Sequence, residues 1–228
     1  MTNSKLVKLK ARDLGFHLVG IAKAENVRET RVDQRSPSVP NWVNSIIVVG
    51  LHLWDELMDA NINRETSHGV EYFQVYEEIL QNRARMLCEY LRGEGNRAEV
   101  NPYEISLKKA AEQSGLGTYG KSGLILNPIF GADVRLTAVM TDAKLEADNP
   151  LDKDLCGTCE ACIRACPLQA IVAPYRVDRL RCINAIPPPT PKGIPEETYR
   201  AAEKIMKHPS AHSVIGCNIC VEVCPIGK

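Results

Sequence analysis

The stretch CGTCEACIRACP, residues 156–167, decides the fold of the last third of this 228-residue chain, and CNICVEVCP at 217–225 is a shorter version of it. With Cys182 between them, the two stretches hold eight of the nine cysteines. Cysteines at three-residue spacing, followed by one ahead of proline, wrap three thiolates round one cubane and turn the fourth outward to a second cubane. Under that rule Cys156, Cys159 and Cys162 take Cys224 as their fourth ligand, while Cys217 and Cys220 share the other cluster with Cys166. The second set is then one thiolate short. A perfect repeat would carry a cysteine three residues before Cys217, and that position is Val214. Cys182, the remaining nearby thiol, is expected to close the second set. The ligand count then serves two 4Fe-4S clusters.

Zinc fits this pattern poorly, because a structural zinc site uses two separated C-x2-C pairs around one tetrahedral ion. Disulfides would require an oxidising compartment. The N-terminus, MTNSKLVKLKARDLG, has no apolar h-region, no small-residue cleavage site and no twin arginine, so a cytoplasmic location is expected. No apolar run approaches the ~18 residues that span a bilayer, so a soluble protein without a membrane partner is expected. Twenty-eight basic and 28 acidic residues balance to a formal charge of zero, which gives no overall attraction to nucleic acid or anionic lipid. Cys88, far from the other cysteines on a helix-period segment, is expected to act as a small buried apolar group.

Two domains are expected, at residues 1–148 and 149–228. The first alternates helical and strand-like segments, the pattern of an α/β domain. Leu6, Leu9 and Leu14 recur at helical spacing ahead of Gly15, a C-cap; residues 16–22 and 45–51 read as strands. Tyr72, Val75, Ile79, Leu80, Met86, Leu87 and Leu91 predict one amphipathic helix that stops at Gly93 and Gly95. A short helix over 104–114 follows, ended by Gly115, and strands are expected at 123–126 and 133–140. After Asp148-Asn149-Pro150 the cysteine module begins. Residues 187–195, PPPTPKGIP, exclude regular helix or central strand, and a helix over 196–207 leads back to Cys217.

Residues 115–122, GLGTYGKS, fit the phosphate-loop pattern G-x4-G-K-[ST]. A phosphate loop must leave a strand and open a helix, so that backbone N–H groups face the phosphates. Here a helix comes first and the following GLILNP reads as a strand. The loop is therefore a glycine-rich helix-to-strand turn whose backbone still admits the close approach of a bulky ligand.

The run AAEQSGLGTYGKSGLILNP at 110–128, with GADVRL at 131–136, Thr141-Asp142, the cysteine layout and Arg181-Cys182-Ile183, resembles the epoxyqueuosine reductase and reductive dehalogenase superfamily. The resemblance covers roughly residues 5–227. It implies a nitroreductase-like α/β domain that binds cobalamin, followed by a two-cluster ferredoxin-like domain whose clusters pass single electrons to base-off cobalamin. Iron–sulfur potentials of several hundred negative millivolts suit that task. Within this resemblance Gly115, Gly117, Gly120, Lys121 and Ser122 are expected to border the cofactor. Lys121 and Tyr119 are the candidate acids of catalysis. An electron donor such as ferredoxin or flavodoxin is implied, and a partner corrinoid protein enters with the alternative reading of the chain as an electron carrier without catalysis of its own.

The chain also departs from the family. It ends four residues after Cys224, where epoxyqueuosine reductases continue into a helical-repeat domain that helps engage tRNA. Asn101 stands where they carry an acidic proton donor, with Glu99 and Glu104 close by but out of register. Both departures argue against tRNA as partner. The missing twin-arginine signal argues against a respiratory dehalogenase. Tyr72 and Tyr76 are expected to pack in a core, and His17, His52 and His68 to serve core or surface roles.

Overall fold

The computed structural model describes residues 2–28, 39–67, 69–100, 105–185 and 195–228. In chain order these form α1 (Ser4–Asp13), β1 (Leu18–Lys23), α2 (Ala24–Arg28), β2 (Ser45–His52), a 3-10 turn (Glu56–Asp59), β3 (Ala60–Thr66), β4 (Gly69–Gln74), α3 (Val75–Gly93), β5 (Ala98–Val100) and α4 (Leu107–Gln113). Next come β6 (Thr118–Tyr119), β7 (Ile125–Leu126), β8 (Val134–Thr141), α5 (Ala161–Ala165), β9 (Ile171–Ala173), β10 (Arg176–Val177), a 3-10 turn (Ile183–Ala185), α6 (Glu196–Ile205), β11 (Lys207–Ser210), β12 (Ser213–Ile215) and α7 (Ile219–Glu222). The chain divides into two compact units. One comprises Met1–His52, Glu77–Thr118 and Val134–Asp154; the other comprises Leu53–Tyr76, Tyr119–Asp133 and Leu155–Lys228. Each is therefore discontinuous. Residues 53–76 and 119–133, expected in the first domain, cluster with the cysteine-rich unit.

The first unit is built on a four-stranded sheet in the order β1-β2-β8-β5, antiparallel throughout. The apolar run SIIVVGL forms β2 because its residues are covered on both faces: Ile46, Ile47, Val48 and Val49 are wholly buried. Helix α1 is capped by Asn3, whose side chain accepts the Leu6 N–H at 2.9 Å. It ends in a Schellman motif, with Gly15 N–H donating to Arg12 and Phe16 N–H to Ala11. Its buried residues are Val7 and Ala11, while Leu6 and Leu9 are 45% and 44% exposed. Helix α3 buries Leu80, Ala84, Leu87, Cys88 and Leu91, as its period required. Burial pushes the Cys88 thiol up to about 12, so it serves as an apolar filler.

The second unit holds a sheet of order β11-β12-β3-β4, also antiparallel. Tyr72, assigned from sequence to the helix, lies instead in β4 opposite Asn63. Tyr76 lies in the first turn of α3, where its hydroxyl donates to Gln74 at 2.6 Å. The polar strands ANINRET and GVEYFQ carry little apolar alternation, so the helical period of the next segment reads through them. The expected helix over 196–207 ends at Ile205, and Lys207 opens an edge strand. The proline-rich segment lies outside the described residues apart from Pro195. Among the described residues no helix is long and apolar enough to cross a membrane.

Candidate iron–sulfur site

The glycine loop begins where α4 stops. Gly115 has φ +69°, its N–H donates to Glu112 and the Leu116 N–H donates to Ala111, a second Schellman motif. A Cβ at Gly115 would come within 2.5 Å of the Asn149 carbonyl, so only glycine lets the segment leading to the cysteines pass this helix end. That segment is fastened to β1: the Asp148 N–H donates to the Ile21 carbonyl at 2.8 Å, and the Asp148 carboxylate accepts the Ile21 N–H at 2.8 Å and pairs with Lys8. The loop then enters the two-residue strand β7 and no helix follows, as the rejection of a phosphate loop required.

Cys156, Cys159, Cys162 and Cys224 line one cup together with Ser122, Leu126 and Leu155, and Cys220 stands at its wall. Helix α5 carries Cys162 and helix α7 carries Cys220. The apolar floor is a cluster of Leu126, Ala132 and Val221 against which Cys156, Cys220 and Cys224 pack. Burial raises the Cys162 thiol, and the neighbouring Cys156 and Cys224 raise it further. Burial likewise raises Cys217, next to Cys182 and Cys166. Cys220 is pushed up to about 12, first by burial and then by Cys217, Cys182, Cys162 and Cys166. Burial and mutual proximity thus favour the neutral thiols, and a cation bound among them would favour the thiolates instead.

Cys182 reaches the second group through a close approach. Asn184, just after it, packs its side chain against Gly216, just before Cys217, where any Cβ would collide. Val214, at the position of the absent cysteine, is 5% exposed in β12 and pairs with Asn61 of β3. Among the described residues no three His, Cys, Asp or Glu side chains gather round a point that a single ion would occupy. A structural zinc site gathers its ligands round one ion, whereas a cubane spreads them over four irons.

Lys121 differs from expectation. It is 8% exposed, its ammonium donates to the Gly157 carbonyl at 2.8 Å and its N–H points to Cys156 Sγ at 3.4 Å. The group foreseen as a proton donor is thus committed to the cysteine loop, because a buried ammonium must be hydrogen-bonded. Tyr119 stacks on Tyr175 at 6.5 Å between centroids, and the Tyr175 N–H donates to the Lys121 carbonyl. Gly120 packs against Leu126, 2.8 Å from where its Cβ would lie. Glu99 pairs with Arg97 at 2.7 Å, while Asn101, Glu104 and His68 lie outside the described residues. His17 Nδ1 accepts the His52 backbone N–H at 2.9 Å.

Residues 155–227 match the family model of a 4Fe-4S double cluster binding domain. The epoxyqueuosine reductase of Cyclobacterium marinum is 27% identical across 98% of this chain and 78% of its own length. An epoxyqueuosine reductase solved with an epoxyqueuosine-modified tRNA-Tyr stem loop shares the fold, with a TM-score of 0.73, 22% identity, and coverage of 98% of this chain and 65% of that one. A catabolic reductive dehalogenase superposes with a TM-score of 0.65 at 18% identity, over 97% of this chain and 31% of that one. This chain thus spans just under two thirds of the solved epoxyqueuosine reductase. A mixed α/β fold joined to a cup of paired cysteines defines a double-cluster iron–sulfur protein whose relatives are reductases. The chain is similar to epoxyqueuosine reductases over nearly its whole length and shares its fold with one of them and with a reductive dehalogenase.

Proposed function

We propose that this chain is an iron–sulfur reductase in which two 4Fe-4S clusters feed low-potential electrons, one at a time, to a corrinoid held by the N-terminal residues. The observation that carries this reading is the gathering of the cysteines: Cys156, Cys159, Cys162 and Cys224 line one cup, and Cys217 and Cys220 each lie close to Cys166 and Cys182. Cys220 faces both groups, which suits a short path between two clusters. Fit to a corrinoid rests on Thr118. Its hydroxyl is buried inside the glycine loop with no hydrogen-bond partner among the described residues, a deficit that a ligand amide would relieve once the loop opened to it. Gly117 and Ser122 would flank it, while Gly115 and Gly120 are already explained by protein contacts. A bound corrinoid supplies a cobalt centre reducible to a strong nucleophile.

The substrate that the relatives' name brings forward is epoxyqueuosine in tRNA. Against it stands Asn101 at the acidic position; for it stands the fold shared with a structure solved on such a stem loop. A second reading, an electron-transfer protein serving a separate corrinoid protein, is favoured by Lys121 and Tyr119, both engaged at the cysteine module. One preparation separates the two. The protein is reconstituted anaerobically with iron and sulfide, mixed with hydroxocobalamin and passed through gel filtration. Stoichiometric retention with a base-off spectrum is expected, and a spectrum of clusters alone overturns the corrinoid reading in favour of the carrier. Conversion of an epoxyqueuosine-bearing stem loop by the loaded protein would make the relatives' substrate its own.

A further inference from the structure

We infer that the β9–β10 hairpin and the turn after it are the docking surface of an acidic one-electron carrier protein, which reduces the cluster assigned to Cys166, Cys182, Cys217 and Cys220. The inference rests on the iron–sulfur reading above and adds where electrons enter.

The hairpin spans the chain between two ligands of that cluster and is tied to both. Ala170 N–H points to Cys166 Sγ at 3.2 Å, Asp178 N–H donates to the Ala170 carbonyl at 2.7 Å, and Cys182 N–H donates to the Asp178 carbonyl at 3.1 Å. A carrier seated on the hairpin is thereby held a few bonds from the thiolates. The backbone is fixed as well. Gln169 and Tyr175 take φ values of +50° and +66°, a conformation that non-glycine residues hold only when their surroundings enforce it. At Tyr175 the enforcing contacts are its N–H bond to Lys121 and its stack on Tyr119.

The segment exposes both apolar and basic side chains. Val172 is 44% exposed and Leu180 63%. Arg164, Arg176 and Arg179 are exposed, and their guanidiniums have no partner among the described residues; Arg181 pairs with Asp178 at 3.4 Å. Residues 160–182 contain four arginines, no lysine, and only Glu160 and Asp178 as acids, so 4 − 2 gives +2 in a chain whose total is zero. Exposed apolar side chains in the same short segment as exposed arginines match a small, transient protein interface steered by opposite charge. A nucleic acid would leave Val172 and Leu180 without use, and the Tyr175 ring is already stacked on protein. In the transfer itself one electron leaves the reduced carrier and takes one cluster from its 2+ to its 1+ state; no bond forms or breaks.

Reduced flavodoxin serves as the acidic probe, with bleaching of the clusters followed by stopped-flow and binding of oxidised flavodoxin by calorimetry. The double variant Arg176→Glu, Arg179→Glu is expected to lower the second-order rate at low salt by about tenfold or more and to weaken the Kd in step. The wild-type rate should fall as salt rises. Dithionite should bleach variant and wild type to the same extent, which verifies that both carry clusters. Equal rates and affinities in the two proteins overturn the docking surface. So does a wild-type rate indifferent to salt, a measurement that stands even if the variant does not fold. Loss of tRNA stem-loop binding with an unchanged flavodoxin rate would assign the arginines to nucleic acid instead and also overturn the proposal. Failure of dithionite to bleach the wild type at all would strike the iron–sulfur reading, a different outcome from failure of docking.

Discussion

Lys121 sits almost buried with a carbonyl as its hydrogen-bond partner, and such a cation is costly unless negative charge lies close by. Its own N–H points to Cys156 Sγ, so the thiolates of the cup and the cluster they would bind are the charge it answers. Lys121→Met keeps the length of the side chain and removes the ammonium. The cluster held by Cys156 is expected to become harder to reduce, by on the order of tens of millivolts if the interaction is worth about 1 kcal/mol. An EPR-monitored redox titration measures this, and an unchanged potential would show that the ammonium only anchors Gly157. Cys182→Ala tests the ligand set: bound iron should fall from about eight per chain to about four, as one of two 4Fe clusters is lost. Iron that stays near eight removes Cys182 from the set. Sequence alone singled out both residues but not the bond that holds Lys121, because the carbonyl of Gly157, 36 residues on, leaves no mark in the residues round the lysine.

Among the elements, those with a local cause were legible. The burial of SIIVVGL on both faces, the amphipathic period of α3 and the glycine that stops α4 are written within a few residues of one another. Strands β3, β4, β11 and β12 were not, since they are short and polar and exist only by pairing with each other across the sequence. That sheet also explains Val214: the position is a buried strand residue that pairs with Asn61. The end of α4 gives a prediction at this scale. Gly115→Ala must place a Cβ against the Asn149 carbonyl in a left-handed backbone, and is expected to cost about 2 kcal/mol or more. Thermal denaturation of the variant should show this as a lowered Tm. A loss below about 0.5 kcal/mol would mean that the loop relaxes and that Gly115 is free for a ligand after all.

At the scale of the whole molecule, the cysteine count made the double-cluster domain readable, while the course of the chain back and forth between two units was not, because no run of composition marks 53–76 or 119–133 as belonging with the cysteines. The two units differ in what holds them. The first has an aliphatic core of its own, in which Ile21, Ile46, Ile47, Leu80, Leu87 and Met140 are fully buried. The second packs its small cluster of Leu126, Ala132 and Val221 directly against Cys156, Cys220 and Cys224, so its core is completed by whatever those thiolates bind. Metal or cluster binding is folding energy where the ligands form the core. Chelation of iron under anaerobic conditions is therefore expected to leave amide protection in β2 and β8 nearly intact and to raise exchange across residues 155–227 by about tenfold or more, the effect of losing ~1.4 kcal/mol of local stability. Hydrogen exchange read by mass spectrometry resolves the two regions. Equal loss of protection in both would mean that the clusters support the entire chain, and the division of stability argued from the two cores would fail.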